Sequence, residues 1–442
     1  MLKTFPKGGI HPEENKITSS KAIKRMPVPK VVYVPIAQHI GIPAEIIVDR
    51  KDKVEIGQVI AKSGGFVSSN IHSPVAGTVT KLDMIVDISG YKKQCIVIRT
   101  DQKNESNFEI PDFPLKKEIS MDQKNILQHI TDCGIVGLGG ATFPSHVKLD
   151  LKNDNHVDCL IINGVECEPY LTADHRLMLE KADEIIVGIQ ILMHALHINE
   201  AIIGIENNKK DAIKVLKQVA KSDKRIKVAA LQVKYPQGSE KQLITAIVQR
   251  EVPIGGLPMD VGVIVHNVGT IFAIYQAVQY DQPLIERVVT VTGKKIENAS
   301  NFWVRIGTPI KDLVEEVGGL PEGTRKIVNG GPMMGKAIKN TDVPVTKGTS
   351  GILVISEDEA SRQDPKNCIR CGQCVFVCPM GLEPHLLMNL SEKGMYEKAA
   401  YEDIMTCIEC GSCSYVCPSH RPLLDYIRFG KSIVKKINTT KN

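Results

Sequence analysis

The spacing of hydrophobic residues changes several times along the chain, and each change predicts a different kind of element. From Lys30 to Thr100 these residues form short β-branched runs such as VVYVPI and QCIVIRT, separated by Gly and Pro. Runs of this kind are typical of a small all-β unit. The residues before it, 1–28, are polar and broken by Gly and Pro, which predicts an extended segment lying over a neighbouring domain.

A polar linker at 101–119 leads into a region where strand and helix patterns alternate. Ser120 and Gln123 have the spacing of a capping box, and the first predicted helix has one apolar face. Apolar strands such as VDCLIING and VGVIVHN then alternate with helices, one of which is predicted over 173–197. This alternation favours an α/β layer fold for residues 120–287.

The last third of the chain predicts two smaller units. Residues 288–358 return to short strands around one helical pattern, which indicates a compact α+β unit of β-grasp character. Residues 359–430 contain eight cysteines and a spacer of helical composition. The basic residues 431–442 are predicted to be a solvated tail. The fold class is therefore expected to be multidomain, with an all-β unit, α/β and α+β units and a helical C-terminal unit.

Composition narrows the possible partners and the compartment. The chain has 442 residues and a net charge of +5, with no basic block, so nucleic acid is not expected as a partner. No apolar run reaches the ~20 residues that a membrane span requires, and the first residues lack the pattern of a secretory signal. We therefore expect a cytoplasmic protein. Four cysteines outside the C-terminal unit, Cys95, Cys133, Cys159 and Cys167, are expected to be small buried residues.

The C-terminal cysteines repeat one motif. CIRCGQCVFVCP and CIECGSCSYVCP each have the pattern Cys-x₂-Cys-x₂-Cys-x₃-Cys-Pro. In such pairs three cysteines of one copy bind a [4Fe-4S] cluster and the fourth ligates the other cluster. The predicted ligand sets are Cys368, Cys371, Cys374 and Cys417 for one cluster, and Cys407, Cys410, Cys413 and Cys378 for the other. A zinc site, the alternative, leaves the Cys-Pro ends unexplained. Because such clusters carry single electrons, a donor or acceptor site is expected elsewhere in the chain.

A glycine-rich loop is the first candidate for that site. GIVGLGGATFP, at 134–144, allows backbone amides to approach a phosphate, and a helix is predicted from Ser145. It is not a Rossmann loop, because a helix precedes it and Thr142 stands where the third glycine belongs. Lys148 follows the loop, and NGVECEP, YPQGSE and VHNVGT begin at 163, 235 and 265. Each of these three motifs lies where a strand gives way to a helix, which is where α/β sheets bind ligands.

In this order the motifs resemble those of the NADH-binding flavoprotein subunit of respiratory complex I. The segment HSPVAGTV at 72–79 resembles the hairpin of biotinyl and lipoyl carrier domains, without their modified lysine. The whole arrangement, with a barrel-sandwich, a flavin domain, an SLBB-type β-grasp unit and a double ferredoxin, is similar to the RnfC family, the C subunits of Rnf ion-translocating oxidoreductases. Cobalamin reductases of the PduS type share these modules in another order.

The resemblance implies a set of ligand contacts. The implied FMN contacts are Gly137, Gly139, Gly140, Lys148, Asn163, Glu166, Tyr235, Gly238, His266, Asn267 and Thr270. Phe143, Lys148, Glu168 and Glu240 are implied to face the nicotinamide nucleotide. Of these, Lys148 and Glu240 are expected to act in flavin reduction by binding and orienting the nicotinamide nucleotide.

The resemblance also implies a function. It implies a peripheral subunit at the cytoplasmic face of the cell membrane that exchanges electrons between NAD(H) and ferredoxin through FMN and two [4Fe-4S] clusters. The implied partners are the membrane subunits and the ferredoxin-like subunit of the Rnf complex, and the membrane is reached only through them. Two alternatives stay open. One is an electron-relay scaffold with a degenerate nucleotide pocket, because Leu138, Val165 and Ser239 depart from the flavoprotein motifs. The other is a soluble flavoprotein that reduces a corrinoid.

Overall fold

Four structural units follow one another in the computed structural model, which describes residues 2–108, 113–151, 157–360 and 363–441. The units are all-β, α/β, β-grasp and helical, in the predicted order, so the predicted fold class is confirmed. Part of the predicted linker, residues 109–112, lies outside the described residues.

The first unit consists of two antiparallel sheets packed around a small core of Val and Ile side chains. One sheet has the order β2-β8-β7-β4, from β2 (Val31–Pro35), β4 (Lys53–Val54), β7 (Gly77–Val86) and β8 (Lys92–Thr100). The other is formed by β3 (Glu45–Ile46), β5 (Val59–Lys62) and β6 (Ile71–His72). β-Branched residues suit this pleated, buried surface.

The second unit has a four-stranded parallel sheet in the order β11-β10-β9-β12, with helices on both faces. Its strands are β9 (Cys159–Asn163), β10 (Ala201–Glu206), β11 (Ile226–Leu231) and β12 (Val263–Asn267). Its helices are α1 (Gln123–Asp132), α2 (Ser145–Leu149), α3 (Ala173–Glu180), α4 (Ala182–Leu196), α5 (Lys210–Val219), α6 (Glu240–Val248) and α7 (Val268–Tyr280). Two separate apolar cores cover the two faces of the sheet.

The third unit is a six-stranded mixed sheet whose edge strand β1 comes from the N-terminal part of the chain. The sheet has the order β1-β14-β13-β17-β15-β16. Its elements are β1 (Ile23–Arg25), β13 (Glu286–Thr292), β14 (Ser300–Arg305), α8 (Ile310–Glu316), β15 (Thr324–Asn329), β16 (Lys336–Ile338), β17 (Gly351–Ser356) and α9 (Glu357–Ala360). Before β1, the N-terminal segment (residues 2–22) runs extended over the α/β unit, where Ile10 pairs with Tyr235.

The fourth unit is helical. A short helix contains the third cysteine of each triplet, and longer helices pack beside these two. The helices are α10 (Gln373–Phe376), α11 (Pro384–Glu392), α12 (Tyr396–Tyr401), α13 (Ser412–Tyr415) and α14 (Leu423–Lys441). Helix α14 continues past residue 431, and Val434 is buried in the core that includes Leu387 and Leu390 of α11. The prediction of a solvated tail is therefore wrong for the described part of residues 431–442.

Two other local predictions are also wrong. Helix α1 is capped by Asp122, whose carboxylate accepts the Asn125 N–H at 2.8 Å, and it starts at Gln123 rather than at a Ser120 capping box. A carboxylate three residues before that amide is one of the strongest N-caps. The single helix predicted over 173–197 is broken at Lys181, which has φ −130° and ψ 34°. Asp183 and Glu184 favour a new helix start after it.

Candidate functional site

A cavity of about 650 Å³ lies where β9 and β12 end. Asn163 and Asn267 are opposite each other at the last pair of these parallel strands, so the loops after both strands reach the same place. The predicted residues that line the cavity are Gly137, Gly139, Phe143, Lys148, Asn163, Glu166, Glu168, Tyr235, Gly238, Glu240, His266, Asn267 and Thr270. Gly140 belongs to the same loop but faces open space, since a Cβ built there meets no atom within 4 Å.

The glycine loop is held from behind by two side chains. Thr270 Oγ1 accepts the Leu138 N–H at 2.9 Å, and Arg287 Nη2 donates to the Leu138 carbonyl at 3.2 Å. Burial lowers the pKa of Arg287 to about 10. The loop also closes on itself, because the Gly137 N–H donates to the Phe143 carbonyl at 2.9 Å. The backbone that would meet a phosphate is therefore fixed by the fold. Arg287 belongs to the β-grasp unit, and no signal near the loop in sequence indicates it.

The acidic loop (residues 163–171) forms a second wall. Asn163 Nδ2 donates to the Gly238 carbonyl at 2.8 Å and so ties this loop to the one before α6. The carboxylate of Glu166 caps α3, accepting the N–H groups of Asp174 at 2.8 Å and His175 at 3.1 Å. Both Glu166 oxygens are thus engaged by a helix. Although Glu166 lines the cavity, its local role is to position α3.

Glu168 links the cavity to the β-grasp unit. Its carboxylate accepts the N–H groups of Met333 at 3.1 Å and Met334 at 2.8 Å, and Met334 lines the cavity as well. Burial raises the pKa of Glu168 to about 7, against the opposing effect of these two amides. Glu168 can therefore change its protonation state near neutral pH.

Lys148 and Glu240, the two predicted catalytic residues, form an ion pair at the cavity. Lys148 Nζ lies 2.5 Å from Glu240 Oε1, and the side chains are 24% and 41% exposed. Each is therefore open to a ligand while it holds the other in place. Surface pairs of this kind contribute little to stability, so the arrangement is better suited to orienting a ligand than to holding the fold.

The loop after β12 places two polar groups that a ligand can use. His266 is buried, and its Nε2 has no hydrogen-bond partner among the described residues. Burial, followed by the nearby Lys148, lowers the pKa of His266 to about 3, so the ring is neutral. Asn267 Nδ2 donates to Asp174 Oδ2 at 2.7 Å. Burial and then the neighbouring Glu166 raise the pKa of Asp174 above its usual range. Asp174 lines the cavity, but the sequence reasoning missed it because it begins a helix outside the motifs.

Tyr235 connects the cavity to the helical unit. Its hydroxyl donates to the Cys410 carbonyl at 2.8 Å, and Ile408 from the same cysteine loop lines the cavity. Cys167, expected to be simply buried, also lines the cavity, and its Sγ accepts the Gly238 N–H at 3.3 Å. The cavity and the second cysteine triplet are therefore in direct contact.

The structure gathers the eight C-terminal cysteines into two groups around two separate small cavities. Cys378, Cys407, Cys410 and Cys413 surround one, and Cys368, Cys371, Cys374 and Cys417 surround the other. Each group combines a triplet with the fourth cysteine of the other motif. Within the described residues, no three His, Cys, Asp or Glu side chains converge closely enough to hold a single metal ion.

The two triplet loops have the same backbone conformation. Arg370 and Glu409 have φ of 58° and 57°, and Gly372 and Gly411 have φ of 73° and 79°. Backbone N–H groups also point at sulfur: Leu382 N–H at Cys378 and Glu409 N–H at Cys407, both at 3.4 Å. Such hydrogen bonds stabilise the negative charge on thiolates that ligate an iron-sulfur cluster. The two groups differ in exposure, because Cys368 and Cys371 are exposed whereas Cys378, Cys410 and Cys413 are buried.

Family models match four consecutive parts of the chain. They are the RnfC barrel sandwich hybrid domain at 3–103, the Nuo51 FMN-binding domain at 130–276, the SLBB domain at 288–337 and the 4Fe-4S dicluster domain at 360–418. The prediction of FMN and two [4Fe-4S] clusters as cofactors is thereby confirmed. No helix among the described residues is both long and apolar enough to span a bilayer.

Curated relatives cover most of the chain. The C subunit of the proton-translocating ferredoxin:NAD(+) oxidoreductase complex of Clostridium ljungdahlii is 47% identical over 406 residues, covering 90% of this chain and 87% of that protein. The C subunit of the Na(+)-translocating complex of Acetobacterium woodii is 42% identical, covering 89% and 88%. An NAD+-reducing [NiFe]-hydrogenase structure shares the fold, with a TM-score of 0.51 and 19% identity over 71% of this chain and 62% of that one. The chain therefore belongs to the RnfC family, the C subunits of ion-translocating ferredoxin:NAD+ oxidoreductase complexes.

Proposed function

We propose that the 650 Å³ cavity binds FMN with NAD(H) beside it, and that the chain exchanges electrons between NAD(H) and ferredoxin through the two cysteine groups. The observation that supports the proposal is that the cavity and the group of Cys378, Cys407, Cys410 and Cys413 lie in direct contact. Tyr235 and Ile408 line the cavity, and they belong to the same contact that holds Cys410. A flavin supplies the chemistry that joins a two-electron nicotinamide to one-electron clusters.

Different residues of the cavity bind FMN and the nicotinamide nucleotide. The glycine loop, held by Thr270 and Arg287, receives the FMN phosphate end, and the unpartnered Nε2 of His266 is available to the same ligand. The pair Lys148–Glu240 and the carboxylate of Glu168 bind and orient the nicotinamide nucleotide. All of these roles concern position and charge, which is how a protein contributes to cofactor chemistry.

Within the helical unit, the two cysteine groups act in series. The group of Cys378, Cys407, Cys410 and Cys413 holds the cluster next to the cavity, because Cys410 contacts Tyr235. The group of Cys368, Cys371, Cys374 and Cys417 holds the outer cluster. Its exposed Cys368 and Cys371 are flanked by the exposed side chains of Ile369 and Phe376. That face is where the electron partner docks.

The chain acts as one component of a membrane-associated complex and is attached through its partners. The names of the relatives identify each of them as the C subunit of an ion-translocating complex. The partners are thus the other Rnf subunits, namely the membrane subunits and a ferredoxin-like subunit. The attachment is at the cytoplasmic face of the cell membrane, where NAD(H) is present.

The test is anaerobic reconstitution of the whole chain, followed by flavin, iron and sulfide analysis and titration with NADH. FMN should bleach on addition of NADH in the wild type and equally in Cys407→Ser, whereas only the wild type should reduce a one-electron acceptor. Reduction of the clusters by NADH at the wild-type rate in a flavin-free preparation would refute the proposal. Lack of bound flavin would favour the relay scaffold, and corrinoid reduction by a chain that never co-purifies with membranes would favour the soluble reductase.

A further inference from the structure

Lys16 lies beneath the acidic loop of the cavity, although it belongs to the N-terminal segment. Its Nζ donates to the carbonyl oxygens of Glu166 at 2.8 Å, Glu168 at 2.8 Å and Leu171 at 2.7 Å. An ammonium group has three N–H donors. One loop of the cavity therefore accepts all the hydrogen bonds that this side chain can donate.

The acidic loop has a backbone shape that its own residues do not favour. Glu166 and Tyr170 have φ of 46° and 69°, in the left-handed region. Non-glycine residues in this region are strained and persist only where the surroundings hold them. The carbonyl oxygens of the loop are the groups that Lys16 holds, and the buried Lys209 holds one more, the carbonyl of Val165 at 2.8 Å. The shape of the loop thus depends on cations contributed by other parts of the chain.

Lys16 also places a positive charge among buried acids. Its pKa is lowered to about 8, first by burial and then by Lys209, while Glu166 and Glu206 act in the opposite direction. Lys16 in turn opposes the burial that raises the pKa of Glu168 to about 7. The titratable groups that face Lys16 or Glu168 are Glu166, Cys167, Glu206, Lys209 and Tyr235. The charge of Lys16 therefore favours the ionised form of Glu168.

We propose that Lys16 is a positioning residue of the nicotinamide nucleotide site, which fixes the backbone of residues 166–171 and so sets where Glu168 stands in the cavity. This inference rests on the proposed function, in which Glu168 faces the nucleotide. Through Lys16 the N-terminal segment becomes part of the site. The same segment also reaches the inner cysteine group, because the Gly9 N–H donates to the Val377 carbonyl, next to Cys378, at 2.9 Å.

The first test measures backbone protection in the cofactor-free chain by hydrogen–deuterium exchange. Lys16→Met is compared with Lys21→Met, a matched control, because Lys21 Nζ donates to the Ala299 carbonyl at 2.7 Å in the β-grasp unit. Peptides that cover 164–171 should exchange about fivefold faster or more in Lys16→Met, as expected for the loss of one net hydrogen bond or more. Equal exchange in the two variants at 164–171 would overturn the proposal.

The second test uses the reconstituted chain. Lys16→Met should raise KM for NADH about tenfold while kcat changes less than about twofold, because the lost binding is shared equally by the ground state and the transition state. In the wild type, KM should rise as the pH falls through the pKa of Glu168 near 7, since the ionised carboxylate is the acceptor. In Lys16→Met this rise in KM should begin at a higher pH, because the cation that lowers the pKa of Glu168 is gone.

Lys16→Arg separates charge from geometry. A planar guanidinium keeps the positive charge but does not match three carbonyl oxygens that converge on one point. Lys16→Arg should therefore show the wild-type pH dependence of KM, but its KM for NADH should stay raised. A Lys16→Met chain with the same KM for NADH as the wild type, and the same pH dependence of KM, would overturn the proposal. A wild-type chain that NADH does not reduce would instead refute the proposed function, and the exchange comparison, made without cofactors, would still test Lys16.

Discussion

Replacing Thr270 with Val should weaken FMN binding through one hydrogen bond. Thr270 is fully buried, and its Oγ1 accepts the Leu138 N–H of the glycine loop at 2.9 Å. Val has a similar shape but no acceptor, so the Leu138 N–H is left buried without a partner. That loss is worth roughly 1–3 kcal/mol. Because 1.4 kcal/mol is a tenfold change, the dissociation constant of FMN should rise roughly 5- to 150-fold if the loop must keep its shape to bind.

The assay is fluorescence titration of the apo chain with FMN, together with thermal unfolding. If the loop keeps its shape without FMN, the same free energy appears as lower stability of the apo chain instead, so the two losses together should total about 1–3 kcal/mol. The control is Thr292→Val. Thr292 is also fully buried, and its Oγ1 has no hydrogen-bond partner in the described part of the chain, so removing that hydroxyl should leave stability unchanged or higher. An unchanged FMN affinity combined with unchanged stability in Thr270→Val would refute the reasoning.

Two further changes test the rest of the site. Gly139→Val should abolish FMN binding without unfolding the domain, because the three atoms nearest to a Cβ at Gly139 all belong to Asn267 and lie no closer than an ordinary 3.4 Å, while the side chain occupies the space where a phosphate would approach. Full FMN occupancy in this variant would remove the loop from the site. Cys378→Ala should damage the cluster of Cys407, Cys410 and Cys413, seen by paramagnetic resonance of the reconstituted chain. Damage confined to the other cluster would contradict the crossed grouping.

Much of the site could be predicted because most of the residues that line it belong to short sequence motifs. Parallel strands bring their carboxyl ends together, so the motifs after β9 and β12 had to meet once the α/β alternation was recognised. The cysteine spacing predicted the crossed grouping in the same way. Arg287 and Lys16 support the cavity from about 150 residues away. No local pattern indicates such partners, because they depend on how separate units dock.

The local errors have physical causes of their own. Asp122 outcompetes Ser120 as the cap of α1 because its carboxylate lies at the correct spacing from the Asn125 N–H. The continuation of α14 past residue 431 depends on Ile427 and Val434, which bury the same face of a helix that otherwise looks basic. Charge along the segment masked that apolar spacing.

The N-terminal segment has a consequence for the order in which the protein can assemble during synthesis. It leaves the ribosome before several of its partners, which include Tyr235, Asn301 and Val377. At synthesis rates of about 5–20 residues per second, the 368 residues after Gly9, up to and including Val377, take roughly 20 to 70 s to appear. The contact with Val377 is missing for that time, whereas Glu166 and Glu168, whose carbonyl oxygens bind Lys16, are synthesised much earlier. The polar, Gly- and Pro-containing sequence of the segment suits exposure to water during this interval. The cavity itself is complete only after Met334 and Ile408, which also line it, have been synthesised.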